Sequence, residues 1–235
     1  MDRYLFPQEP APGDTPAARR GHRNTASAKM SGVGHDDHHH HRGHKFPVEQ
    51  MAKLDSPERL SLLPIETVVS LAEIAPGMRV LDIGCGPGIF TIPFARAVGA
   101  AGRVYAADIE PEMVAECRRR VAASGLANVE VARSDENAAP FPARCAELVF
   151  ACHLLHELHE PALFFEEMRR LLSPDGRLVI VDWEKADTGI GPPIDKRLTP
   201  AEAHALLEQN GFTVMSRAAV SWANYLLRAR PAIRV

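Results

Sequence analysis

The sequence predicts an α/β protein built on a parallel sheet with helices on both faces. Three observations carry that reading. After about position 50, short apolar runs of strand length alternate with stretches of helical period. Glycine and proline mark the turns between them, as at Pro76-Gly77, Gly125 and Ser173-Pro174-Asp175-Gly176. The first apolar run empties into a loop with glycine at every second position, Gly84, Gly86 and Gly88, and a helix follows at once.

Taken in order, Ser56-Pro57 predicts a helix N-cap with proline at the first helical position. A second helix is expected over 65–74, turned by Pro76-Gly77. Strand 79–83 leads through the glycines to a helix over 89–98, and strand 104–107 to a helix over 111–124 closed by Gly125. Strands follow at 129–132 and 148–151, then a helix over 163–172 that the Ser-Pro-Asp-Gly turn stops, then strand 177–181. Thr199, Pro200 and Glu202 form a capping box that opens a helix ending at Gly211. Two closing strands are expected at 212–220 and 224–228. The loop 184–198, containing Gly191-Pro192-Pro193, is long enough to act as a lid or to select a ligand together with the N-terminal helices.

The 235 residues allow one ordinary domain and some excess, and 46% hydrophobic with 24% charged residues is a globular composition. A net charge of -3 excludes the broad basic surplus of a nucleic-acid-binding protein. The run Arg118-Arg119-Arg120 falls late in a predicted helix, where it suits the negative helix end. No apolar stretch approaches the ~20 residues of a membrane span, and Pro, Asp and Arg interrupt the N-terminus where a secretory signal would be apolar. A soluble, cytoplasmic protein is expected. Cys85, Cys117, Cys145 and Cys152 contain no C-x-x-C pair and read as free thiols.

Residues 1–45 differ from the rest. Pro7, Pro10, Pro12 and Pro16 crowd together among small polar residues, too little apolar surface to offset ordering entropy, so a disordered tail is expected before a domain at 46–235. Met30 inside it offers an alternative translation start. His35, His38, His39, His40, His41 and His44 cluster at its end. Such imidazoles bind zinc, nickel or copper; a plain polar tail or a tag remnant are the other readings. Interleaved Asp36, Asp37, Arg42 and Gly43 favour a native tail with weak, non-catalytic metal affinity.

The functional signal is Val80-Leu81-Asp82-Ile83-Gly84-Cys85-Gly86-Pro87-Gly88. Glycines let the backbone approach a ligand, and the helix that follows turns its free N–H groups toward the same crevice. A dinucleotide loop is G-x-G-x-x-G, whereas the spacing here is G-x-G-x-G with Ile89 following. Asp82, just before the first glycine, would repel a pyrophosphate but suits a cation. S-adenosylmethionine (SAM) carries a sulfonium and an ammonium, so the electrostatics favour SAM over NAD. Asp108 ends the next strand about 20 positions further on, the separation at which a carboxylate accepts both ribose hydroxyls.

These two motifs, with Ser134-Asp135-Glu136-Asn137-Ala138-Ala139-Pro140-Phe141-Pro142, resemble those of the class I SAM-dependent methyltransferases. The likeness is greatest to the type 11 group, which includes the ubiquinone/menaquinone biosynthesis C-methyltransferases. It covers about residues 50–185, and the segment Lys53-Leu54-Asp55-Ser56-Pro57-Glu58-Arg59 with the histidine-rich leader resembles a small prokaryotic subgroup. The resemblance implies a Rossmann-like, seven-stranded sheet of order 3-2-1-4-5-7-6 with the seventh strand antiparallel. It implies that Gly84, Cys85, Gly86 and Gly88 line the methionine part of SAM, with Asp82 near the ammonium. Asp108 would hold the ribose, Ile109 and Met113 would flank the adenine, and Asp135 or Glu136, with Asn137 nearby, would accept from its amino group. The family often has Glu at Asn137 and a small residue at Glu136. Cys152 and His153 would border the methyl group.

Methyl transfer is an in-line displacement for which alignment supplies much of the acceleration, and some acceptors also need a base. Candidates past the fourth and fifth strands are His156 and Asp182 first, then His153, Glu157, His159 and Trp183. His156-Glu157 could instead cap the next helix, and Asp182-Trp183 could form a turn whose indole covers an apolar face. The expected activity is methyl transfer to a small molecule, since no accessory domain appears. Alternatives are a non-catalytic SAM-binding regulator and an arsenite or thiol methyltransferase using its cysteines.

Overall fold

The apolar runs pair into one seven-stranded sheet. The computed structural model describes residues 48–233. A short 3-10 helix, Val48–Lys53, precedes α1 (Pro57–Leu62) and α2 (Ile65–Leu71). Then come β1 (Arg79–Ile83), α3 (Thr91–Val98), β2 (Arg103–Asp108), α4 (Pro111–Ala123), β3 (Val129–Arg133) and β4 (Ala146–Cys152). The chain continues with α5 (Pro161–Leu171), β5 (Leu172–Trp183), α6 (Pro200–Gln209), β6 (Phe212–Ala219) and β7 (Asn224–Pro231).

The sheet order is β3-β2-β1-β4-β5-β7-β6, as the resemblance implied. The first five strands run parallel, and β7 is antiparallel to both β5 and β6. The central strands are apolar on both sides because helices cover both faces. Alternate residues divide between two cores: Leu81, Val149, Leu178 and Ile180 pack on α5 and α6 residues including Phe165, Met168 and Leu207. Val80, Leu148, Phe150 and Val179 pack with Phe90, Phe94 and Val68 on the other side. Phe94 and Phe150 meet edge to face, with ring centroids 4.8 Å apart.

Both caps read from the sequence form. Ser56 accepts from Arg59 N, and Thr199 with Glu202 closes a reciprocal capping box. Boundaries shift where backbone chemistry intervenes. The second helix stops at Leu71, not at 74, because Glu73 turns to a positive φ of 54°. The helix after the glycines begins at Thr91, not at 89, once the loop has completed its turn. The turn Ser173-Pro174-Asp175-Gly176 survives as an outward bulge within β5, between the pairs Ala146–Leu172 and Leu148–Arg177.

The Arg118-Arg119-Arg120 run is engaged in packing. Arg118 donates to Val131 O on the edge strand β3, Arg119 pairs with Glu116, and Arg120 with Glu116 and Asp55. No helix among the described residues is long and apolar enough to cross a membrane. The expected tail over 1–45, its domain boundary and its histidine cluster lie outside the described residues.

Candidate active site

β1, β2, β4 and β5 point their carboxyl ends to one edge of the sheet, and the connections diverge between β1 and β4. That divergence opens the crevice where such sheets take ligands. Among the described residues, Asp82, Asp108, Cys152, Asp182 and Trp183 lie at the ends of those strands, Met113 lies on α4, and the other sequence-derived site residues fall on the loops beyond the strand ends.

On the β1–β2 side, the glycine loop is clamped by Asp108. One carboxylate oxygen accepts from Gly86 N at 2.8 Å and the other from Glu110 N at 3.0 Å, which leaves lone pairs for a further donor on each. Burial raises the Asp108 pKa, against the opposing pull of those N–H groups. Gly86 has φ +53°, which a side chain would resist, and its missing side chain faces Leu54. Gly88, at φ +88°, has another reason to be glycine: a Cβ there would lie 2.9 Å from Cys117 Sγ on α4. That close approach lets α4 seat against the loop.

Asp82 is buried beneath the loop, 2% exposed, and accepts from Thr91 Oγ1 at 2.6 Å. Burial pushes its pKa up to about 7; the Thr91 hydrogen bond works against this and the Asp108 charge adds to it. Sequence reasoning missed Thr91, although a hydroxyl at the first position of α3 was visible. It also missed Leu154, whose side chain lies over Gly84.

Next to Asp108, Ile109 is partly buried and Met113 is buried on α4. Ser134 N donates to Asp108 O, which joins the β3 loop to this side. Asp135 and Glu136 are exposed, Asn137 is partly buried with its amide 3.4 Å from Glu160, and Asp135 forms a bridge with Ala138. Glu167 and Arg170 of α5 hold the following segment by bonds to Ala139 and Phe141 backbone groups.

The β4–β5 side is built from side chains. His153 stands at φ +58°, a strained conformation for a non-glycine residue. Its ring lies between two partners, Arg59 Nη2 at 2.9 Å from Nδ1 and Asn224 Oδ1 at 2.6 Å from Nε2. Since Asn224 Nδ2 donates to Leu62 O, its oxygen faces the imidazole, so Nε2 carries the proton and Nδ1 accepts from Arg59. Burial and the Arg59 charge drive the His153 pKa well below 6.5, which keeps it neutral. The ring stacks on Trp183 with centroids 4.3 Å apart.

His156 and Asp182 meet, Nδ1 to Oδ1 at 3.1 Å, and both are largely buried. Asp182 also accepts from Trp183 N. Burial opposes protonation of His156, but the hydrogen bond and charge of Asp182, aided by Glu157 3.8 Å away, outweigh it and raise the pKa above 6.5. His159 is exposed. The next helix takes Glu160 as its N-cap without a side-chain bond, so His156-Glu157 does not cap it.

The expected lid, 184–198, winds around Arg197. That guanidinium is buried, donates to the carbonyls of Glu184, Ala186, Ile190 and Pro192 and to Thr188, and lies 5.1 Å from the Trp183 ring centre. Trp183 thus receives His153, Arg197 and, at closest approach, Gly191.

The four cysteines do not meet at one place. Cys85 packs with Cys117 between the loop and α4, Cys145 sits in the core on α5, and burial pushes the Cys152 thiol up so that it stays protonated. No group of three or more His, Cys, Asp or Glu among the described residues is placed to hold a metal ion.

A glycine loop on the first strand, closed by a buried carboxylate from the second, defines a nucleoside-binding α/β protein. A second buried carboxylate held near neutrality by burial fits a ligand that brings positive charge, as SAM does. Residues 80–176 match the family model described as a methyltransferase domain. A SAM-dependent methyltransferase from Aquifex aeolicus is 36% identical, with a TM-score of 0.75 over 79% of this chain and 98% of its own. The C-methyltransferase UbiE of ubiquinone/menaquinone biosynthesis from Teredinibacter turnerae is 33% identical over 123 residues, 52% of this chain and 49% of that protein. Aklanonic acid methyltransferase DauC from a Streptomyces species is 33% identical over 141 residues, 60% and 64% of the two lengths. The match therefore spans about half of the first curated relative and less than two thirds of the second. The chain belongs to the SAM-dependent methyltransferases.

Proposed function

We propose that this protein transfers the methyl group of SAM to a small organic acceptor and releases S-adenosylhomocysteine. The observation that carries this is the pairing of two buried carboxylates with the glycine loop, Asp108 clamping Gly86 from β2 and Asp82 lying beneath it. Bound SAM supplies a methyl group activated by a sulfonium leaving group. The loop residues Gly84, Cys85 and Gly86 line its methionine part, Gly88 holds the loop in place, and Asp82 balances the positive charge. Asp108 accepts the ribose hydroxyls on its remaining lone pairs. Ile109 and Met113 flank the adenine, with Asp135, Glu136 and Asn137 along its amino edge.

On the acceptor side, Cys152 and neutral His153 border the methyl group. His153 has both ring nitrogens committed, so its part is to position, and Trp183 supports it from the adjoining face. His156 is the base: Asp182 fixes its Nδ1–H, and Nε2 takes the acceptor's proton. Glu157 tunes that imidazole. Only Cys85 and Cys117 lie together, with Cys145 and Cys152 apart from them, so the arsenite or thiol reading has nothing to rest on. Relatives named for quinone biosynthesis and aklanonic acid support a small organic acceptor, and the net charge of -3 supports neither a nucleic-acid nor a membrane partner. The test is incubation of the protein with methyl-labelled SAM and a fractionated metabolite pool. Label in one compound, lost with Asp108→Ala, is expected; saturable SAM binding without any labelled product would leave a non-catalytic SAM sensor instead.

A further inference from the structure

Arg59 brings to His153 a positive charge that no carboxylate among the described residues pairs with directly. It sits on α1, and its guanidinium spends Nη1 on Leu54 O and Nη2 on His153 Nδ1. A guanidinium carries five N–H donors, so three are left over. No carboxylate among the described residues forms an ion pair with it; Asp55, whose charge reaches it, and the two carboxylates whose charges reach the neighbouring Cys152 are committed elsewhere. Asp55 pairs with Arg120 at 2.7 Å, Asp182 holds His156 and Trp183 N, and Asp82 holds Thr91. Its immediate neighbours, His153 and Cys152, are kept neutral by burial. Arg59 is half-buried, and burial lowers its pKa against the opposing pull of the Asp55 charge. A charge partly withdrawn from water favours an ionic partner, and arginine's planar fork matches a carboxylate with two parallel bonds.

We infer that Arg59 is the acceptor-binding residue for a carboxylate: the methyl acceptor carries a carboxylate group beside the atom that is methylated, and the free side of the guanidinium receives it. The inference rests on the methyl-transfer reading for which pocket the group faces. Location supports it, because His153 follows the last residue of β4 directly, at the carboxyl edge of the sheet. Charge count selects a carboxylate over a phosphate. One guanidinium with two bonds already made matches a single negative charge, whereas a phosphate brings up to two charges and more acceptor oxygens than three donors satisfy. The other role for Arg59, a strut tying α1 to β4 through Leu54 and His153, uses only two of its donors and leaves the charge unexplained.

The test titrates benzoate, benzamide and phenyl phosphate into the full chain, with and without saturating S-adenosylhomocysteine. Wild type is expected to prefer benzoate over benzamide at least tenfold. In Arg59→Met that preference falls to about one while S-adenosylhomocysteine affinity stays within about twofold. Arg59→Lys keeps the charge but not the fork, and retains only part of the preference; it carries the test if Arg59→Met fails to fold. A strut alone would weaken acid and amide equally. No benzoate preference in wild type, an undiminished preference in either variant, or tighter binding of phenyl phosphate than of benzoate overturns the inference. Intact SAM binding with no carboxylate preference removes this inference alone, whereas absent SAM binding removes the methyl-transfer reading.

Discussion

The two halves of the crevice are built by different means. On the β1–β2 side, short-range backbone chemistry does the work: glycines at φ +53° and +88°, and a carboxylate accepting from Gly86 N and Glu110 N. On the β4–β5 side, side chains distant in sequence meet. Arg59 and His153 are separated by 94 positions, His153 and Asn224 by 71, and His156 and Asp182 by 26. A backbone-defined loop binds one ligand in one way. A cluster of side chains can be exchanged member by member, so the first half suits a fixed cofactor and the second a variable acceptor.

If that division is sound, damage to the second half should abolish chemistry and spare cofactor binding. His156→Ala is expected to lower kcat by about 10²–10⁴, the usual worth of a positioned base, with SAM affinity unchanged in calorimetry. The pH profile sharpens the point. A base must be neutral, and the His156 pKa lies above 6.5, so activity should climb with pH along a limb set above that value. Asp182→Asn removes the charge that helps raise it and leaves only a weaker, neutral hydrogen-bond acceptor, so the limb should move to lower pH while the plateau falls. A pH profile that keeps its position in Asp182→Asn would detach the pair from the reaction.

Damage to the first half should act the other way. Gly88→Val forces a branched side chain to positive φ and drives its Cβ into Cys117 Sγ. Strain and overpacking together should cost about 2–4 kcal/mol of stability in a denaturant titration, with SAM binding lost. Asp108→Ala removes a charged acceptor worth about 1.5–3 kcal/mol, so SAM affinity should fall at least tenfold. A folded Asp108→Ala that binds SAM as wild type does would leave the ribose to some other group.

The same contrast explains what could be read from the sequence. The sheet was legible because alternation, glycine turns and the caps at Ser56 and Thr199 are local signals, and a family resemblance supplied the strand order. Asp82, Asp108 and the glycines were legible for the same reason. The His156–Asp182 pair was legible only as two residues at or just past strand ends, without their 3.1 Å contact. Arg59 and Arg197 were not legible as site residues. An arginine in a short polar helix looks like surface, and only the folded chain shows one bonded to His153 and the other wrapped by its own loop. Thr91 was hidden by its context, since a threonine opening a helix is ordinary.

The smallest expected effect tests whether Asp82 belongs to the cofactor half or merely to the core. A folded-state pKa of about 7, above an unfolded value of about 3.9, means that its contribution to stability is present below pH 3.9 and is lost as pH rises through 7. A bound cation reverses that balance, because it favours the ionised carboxylate. SAM affinity should therefore strengthen between pH 6 and pH 8 by about fivefold, a change of ~1 kcal/mol, while the free protein loses stability over the same interval. Asp82→Asn can still accept from Thr91, so it should fold normally. It should bind SAM about fivefold more weakly at pH 8 and show little of the pH dependence, and its free form should lose less stability between pH 5 and pH 7 than wild type. Equal pH dependence in the two proteins would place Asp82 in the core with Thr91 and leave the ammonium of SAM to the glycine loop alone.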